Sequence, residues 1–368
     1  GGIARVTRKQ RSDALKKGAA AVLPLVAFLL ILQTSCTMKP KIVYPQRDWL
    51  VATPESQGVD PEKLDAAMEY LGAISGEQGN SQCVVIRNGY MIWHGTDIDN
   101  KHIIWSCTKS FLSTCLGLLW DDGKCAPGDL AKEYFPALAE YYPTVTLEHL
   151  ATFTSGYAHR EGQPLEPVEP MYSPGTAFHY SRQSDLLAGI LTGMAREPLE
   201  ELFHRRIGAT IGLTEENMSW GRIGDLGGIA VNGGAGAPPG AVSTTARAIA
   251  RFGWLYCNSG VWDGRRLIGE RYIQYASAPR VPPTMPPHDR DAWYVDLPGS
   301  YGLNWWVNGV TPGGRRMWPN APETTFAAQG NRNNICFILP DWRMVIVRLG
   351  TDKIIDTDLY DRMFELIA

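Results

Sequence analysis

The stretch Ile103–Trp120, IIWSCTKSFLSTCLGLLW, keeps helical period through Phe111, Leu112, Cys115, Leu116 and Leu119, and it predicts a buried helix. Ser106 lies at its start and Lys109 one turn later, which places their side chains on one face, about 5 to 6 Å apart at Cβ. The amine can then reach the hydroxyl. A lysine held beside Trp105 and Phe111 loses solvation, so its pKa falls toward the range where the neutral amine accepts a proton. The helix N-terminus favours negative charge developing near Ser106. A lone Ser-x-x-Lys tetrad arises by chance, and its plain reading is a helix cap with a solvated lysine. A strongly apolar helix is a poor place for an idle ammonium group, so the setting favours an activated serine that needs no histidine.

Outward from this helix, the patterns divide the chain into ends and middle. CVVIRNGYMIWHG sets two apolar runs around Asn88-Gly89, the signature of a hairpin with a type I′ turn. NICFILP, a turn at Asp341-Trp342, and RMVIVRLG predict a second hairpin near the other end. Asp60-Pro61 opens a helix with an N-cap and a first-turn proline. A last helix is expected from about Asp356, with Leu359, Met363, Phe364 and Ile367 on one face. Between Ser106 and about Ile211 the patterns are mostly helical. The expected fold class is α+β: an antiparallel sheet built from both chain ends, flanked by helices, with a mainly helical insertion at about 120–240.

The N-terminus differs from the rest. Six cations (Arg5, Arg8, Lys9, Arg11, Lys16 and Lys17) and one anion, Asp13, give residues 1–35 a charge of +5; the whole chain carries −3, so the remainder carries −8. An acidic body makes nucleic acid an unsuitable partner. Ala19–Leu32 is an apolar run of 14 residues, shorter than the roughly 20 a bilayer span needs. With its basic flank it reads as an export signal over 1–35; a buried core helix is the alternative, against which Pro24 argues. Thr34-Ser35-Cys36 resembles the lipobox of bacterial lipoproteins, with Gln33 where a small or aliphatic residue is usual. Lipidation at Cys36, a linker over 36–48 and a domain over 49–368 are therefore expected. The expected location is the periplasm or cell envelope, with membrane contact only through the lipid anchor. The other six cysteines (Cys83, Cys107, Cys115, Cys125, Cys257 and Cys336) have no spacing that demands pairing and read as small buried hydrophobes. No metal-ligand motif stands among the seven histidines, so no metal or cofactor is expected.

Five ordered segments resemble one family. WSCTKSF is similar to the nucleophile motif of the serine β-lactamase and penicillin-binding protein superfamily. VTLEHLATFTSGY, MYSPGTAFHYSRQSDLLAGIL, GAVSTTARAIARFGWLYCNSGVWDGRRLI and YGLNWWVN with the terminal hairpin resemble further segments of that family, from about Leu50 onward. The similarity points to the class C-like branch, which includes esterases and 6-aminohexanoate oligomer hydrolases. It implies a β-lactamase/transpeptidase-like fold, Ser106 as acylated nucleophile, Lys109 as proton acceptor and Tyr180 as the relay to the leaving group. A phenol near an ammonium is expected to have a lowered pKa. The resemblance also implies an oxyanion hole from the backbone N–H of Ser106 and one near Gln329-Gly330.

Three departures bear on substrate. Arg182 stands where most relatives have Asn. AAQGNRNN, offering Gln329, Gly330, Asn331 and Arg332, replaces a Lys-Thr-Gly or His-x-Gly triplet. Ala248 replaces an Asp at a position read as structural. Tyr256-Cys257-Asn258, the literal Tyr-x-Asn, is read as a helix end. Arg182 or Arg332 is a candidate partner for a substrate carboxylate, and Trp105, Trp220, Trp305, Trp306 and Tyr172 are candidate cleft aromatics. The leading expectation is a serine hydrolase acting on a small-molecule ester, amide or peptide. A β-lactamase or DD-peptidase, and a non-catalytic peptide-sensing protein, are the alternatives.

Overall fold

The computed structural model describes residues 41–352 and 357–368; the expected export segment, and Cys36 with it, lies outside the described residues. Both expected hairpins form, and they join. Strands β1 (Leu50–Val51), β2 (Cys83–Arg87), β3 (Tyr90–His94), β4 (Trp306–Val307), β5 (Phe326–Gly330), β6 (Asn334–Leu339) and β7 (Met344–Arg348) make a sheet in the order β1-β3-β2-β7-β6-β5-β4. The two chain ends meet where β2 runs antiparallel to β7, with Val85 opposite Ile346. Asn88 and Gly89 both have positive φ, 54° and 91°, as a type I′ turn requires. The edge strand departs from expectation: β1 is parallel to β3, because residues 50–51 run along it before the chain turns into the first helix.

The strands read as continuous apolar runs because helices cover both sheet faces. Val84, Ile86, Cys336, Ile338, Val345 and Val347 share one core with helices α2 (Thr108–Asp121) and α4 (Ala246–Cys257). Their neighbours Val85, Ile335, Phe337 and Ile346 share another with α1 (Pro61–Ile74) and α5 (Thr357–Ile367). Each fully buried side chain of this size contributes roughly 1.5–3 kcal/mol. Asp60 caps α1 by accepting from the Glu62 and Lys63 amides, with Pro61 in the first turn. On α5, Met363 and Phe364 are buried as expected, but Leu359 is exposed and Tyr360 takes the inward position, a rotation set by its packing on Phe337.

Residues 120–240 carry α3 (Gln183–Ala195), a continuous helical stretch in which a π-helical turn, His204–Gly208, joins Leu199–Phe203 to Ala209–Ile211, and short one-turn helices, interleaved with two-stranded ribbons. A small second sheet pairs His102–Ile103 with Val242–Thr244 and Met218–Trp220, pinning the approach to Ser106. The six described cysteines are free thiols, Cys257 partly exposed and the rest buried. Among the described residues no helix is long and apolar enough to cross a membrane.

Candidate active site

Ser106 sits in a single 3-10 turn, Trp105–Cys107, that runs directly into α2. Trp105, just before it, has φ 50°, a left-handed backbone that is strained for a bulky residue and common beside reactive groups. α2 is buried all round from Thr108 to Leu119, so Lys109 has no path to water along its own helix. The lysine is 3% exposed. Its Nζ lies 3.0 Å from Ser106 Oγ and also donates to the Ala235 carbonyl. Burial lowers the Lys109 pKa to about 7; Asp185 and Cys107 oppose the shift, and Arg182 adds to it. The pair sits where the sequence pattern put it, with the amine close to half-neutral at physiological pH.

Tyr180 lies three residues before α3, with its ring centroid 4.8 Å from Lys109 Nζ. The Ser106 hydroxyl and the Tyr301 phenol are its polar neighbours. Tyr180 stacks on Trp306 and packs against Phe153 and Tyr301. Some of the ring reaches solvent, but protein packs closely enough that burial pushes the phenol's pKa up, the hydrogen bond to Ser106 pulling less strongly the other way. This reverses the expected lowering: an amine poised near pH 7 is too weak a cation to offset desolvation by three aromatic neighbours. The ground-state group is a phenol, able to hand on a proton but not to start the reaction as a base.

β5 ends against Ser106. A Cβ on Gly330 would lie 2.2 Å from the Ile104 carbonyl oxygen and 3.0 Å from the Ser106 amide nitrogen. Only glycine permits that approach, and it sets the strand end beside the Ser106 amide, where an oxyanion would be held. Gln329 has its side-chain nitrogen buried without a protein hydrogen-bond partner. Asn331 lies in the exposed turn beyond, its carbonyl accepting from Asn334. Arg332 donates to the Thr351 carbonyl and lies over the Trp105 ring, 6.0 Å from its centroid.

A further residue, Asp185, organises the site. This carboxylate, 1% exposed, accepts from the Gly234 and Ala235 amides at 2.9 and 2.8 Å through Oδ1. Through Oδ2 it accepts from Arg182 Nε and Nη2 at 3.0 and 2.9 Å. It thereby aims the Ala235 carbonyl at Lys109 and fixes the guanidinium. An acidic residue in the first turn of an otherwise apolar helix, QSDLLAGIL, was the available sign. Arg182 keeps donors free: its side chain is 48% exposed and lines a recess of about 200 Å³ with His159, Pro164, Ile223, Pro238 and Pro239.

A family model described as Beta-lactamase matches residues 82–366. The chain belongs to the beta-lactamase family. It is 24% identical over 259 residues to a 6-aminohexanoate-dimer hydrolase of Paenarthrobacter ureafaciens, covering 60% of this chain and 63% of that one. Against a beta-lactamase of Pseudomonas fluorescens it is 28% identical over 164 residues, 37% of this chain and 44% of the other. The chain thus spans less than two thirds of the length of either relative. Both are hydrolases by name. A penicillin-binding protein homologue from Caulobacter crescentus superposes with a TM-score of 0.64 at 18% identity, covering 84% and 97% of the two chains; that likeness shows the fold.

Within this family frame the candidate aromatics separate. Trp306 packs on Tyr180, and Trp105 adjoins Ser106. Trp220 and Trp305 do not line the cleft; they are core residues, 3% and 0% exposed, packed beside Phe111 and Phe252. Tyr172 donates to the Phe153 carbonyl and lies against His288. Tyr256 is buried and bonds Thr114, while Asn258 caps the end of α4, so the Tyr-x-Asn match is structural.

Proposed function

We propose that the protein is a serine hydrolase that cleaves an ester or amide through an acyl-enzyme on Ser106. The observation that carries this reading is the buried, pKa-lowered Lys109 amine 3.0 Å from Ser106 Oγ. Neutral Lys109 takes the hydroxyl proton as Oγ attacks the substrate carbonyl. Negative charge then develops on the carbonyl oxygen, beside the Ser106 amide and the end of β5. Tyr180, beside both serine and lysine, passes the proton to the departing alkoxide or amine. Water then attacks the acyl-enzyme, with the same groups moving protons in the opposite direction and Ser106 regained.

Arg182 and the missing Lys-Thr-Gly triplet favour a simple ester or amide over a β-lactam. The turn at Asn331 beyond Gly330 is exposed to such a substrate, whereas the Gln329 side-chain nitrogen is buried. Hydrolysis of a p-nitrophenyl ester is expected to exceed that of a chromogenic cephalosporin, and intact-mass spectrometry is expected to show one covalent adduct with a fluorophosphonate. Faster cephalosporin turnover would instead mark a β-lactamase or DD-peptidase. Neither turnover nor adduct would leave a peptide-sensing protein.

The recess at Arg182 suits a carboxylate on the acyl group, bound by the guanidinium donors that Asp185 leaves free. The p-nitrophenyl half-ester of glutarate is expected to outpace the butyrate. Arg182→Ala is expected to reduce that preference about five- to tenfold. Any change the variant makes at Lys109 affects both esters alike and cancels in the ratio, so an unchanged ratio would remove Arg182 from substrate binding.

A further inference from the structure

Trp293 is the one exposed tryptophan among the described residues, with 66% of its surface open. It lies in a proline-rich strap, residues 282–298, that is fastened to the segment just before Tyr180. The Phe178 amide donates to the Pro286 carbonyl at 2.9 Å and the His288 amide to the Phe178 carbonyl at 2.8 Å. These bonds form a parallel bridge between Phe178 and Pro287. Phe178 and His179 further pack on Tyr294. The strap therefore reaches Trp293 from a fixed base.

The indole does not stand on a bare surface. Its ring meets the Tyr180 ring edge to face, with centroids 5.2 Å apart at 71°, and lies 6.0 Å from Trp306. Its inner face is thus taken up by the phenol that neighbours Ser106, while the rest is open. A singly exposed apolar side chain is ordinary in itself; it is the fixed position of this one against the phenol beside Ser106 that points to a ligand.

We infer that Trp293 forms the apolar wall of the leaving-group subsite and selects substrates whose departing alcohol or amine carries an aromatic or bulky apolar group. This rests on the proposed role of Tyr180. A group protonated by Tyr180 departs next to that ring, and the nearest large apolar surface there is the open indole. The recess at Arg182, bounded by Pro238, Pro239 and Ile223, is lined by other segments and is left to the acyl portion. A flat aromatic leaving group can stack on the indole or meet its edge, whereas methanol or ammonia is too small to touch it.

The test compares kcat/KM for 2-naphthyl acetate and methyl acetate, which share an acyl group and differ in the group released. Trp293→Ala is expected to lower the naphthyl value about tenfold and to change the methyl value less than twofold. Trp293→Phe is expected to recover most of the loss. The intrinsic reactivity of the two esters cancels when each variant is compared with the parent on the same substrate. Equal losses on both esters would show a merely structural role, and unchanged values on both would show that the indole touches no substrate; either overturns the inference. Failure of the parent to hydrolyse any ester or to form a fluorophosphonate adduct would instead overturn the serine-hydrolase reading itself.

Discussion

Ser106→Ala is expected to lower kcat/KM for an activated ester by about 10⁴- to 10⁶-fold, the range seen when the nucleophile of a covalent mechanism is removed, and to eliminate the fluorophosphonate adduct. The effect is large because the other serines on α2 point away from the site. Ser110 and Ser113, the next serines on α2, donate to the Asn304 and Leu303 carbonyls inside the core. Loss of rate with the adduct retained would place the nucleophile elsewhere. Ser106 is a short side chain at the mouth of a helix, so the variant is expected to fold as the parent does, which circular dichroism checks.

Lys109→Met, close in shape and apolar, is expected to reduce kcat/KM by about 10³-fold, within the span general-base catalysis contributes. Methionine suits the buried site, so the loss should come without a fall in melting temperature. The same lysine sets the pH dependence. Only its neutral form accepts the serine proton, and burial holds its pKa at about 7. The rate should therefore fall as pH drops below about 7 and level off above it. The sign can be checked independently. The Asp185 carboxylate favours the charged lysine, so Asp185→Asn should move the acid limb to lower pH, while also lowering the rate because the Ala235 carbonyl is held less firmly. A limb that stays in place in this variant, or one absent from the parent, would mean that Lys109 is not the titrating base.

The parts of the fold legible in the sequence were those encoded locally. CVVIR-Asn-Gly-YMIWH and the terminal hairpin carry their own turn chemistry, and their unbroken apolar runs state that both faces are covered. Ser106 and Lys109 were legible because helical period alone brings them together. What was not legible depends on remote partners. The phenol of Tyr180 is raised rather than lowered because Phe153 arrives from one remote segment and Tyr301 and Trp306 from another. Asp185 reads as an ordinary first-turn acid until the amides of Gly234 and Ala235 close on it. Trp220 and Trp305 resemble Trp105 in the sequence, and only packing separates core from cleft. Trp293 sits among prolines with no periodicity, and the two-residue β1 is too short to show its direction.

The sheet that carries the site is stitched from the first and last parts of the domain, and this sets an order on synthesis. Ser106, Lys109 and Tyr180 leave the ribosome well before Gly330, and β2 must wait for β7 before its outer edge is closed. A nascent chain therefore holds a serine and a lysine but no finished site to activate them. On the proposed mechanism, acyl transfer would become possible only once the C-terminal hairpin has docked, so the chemistry would arrive with the closing of the sheet.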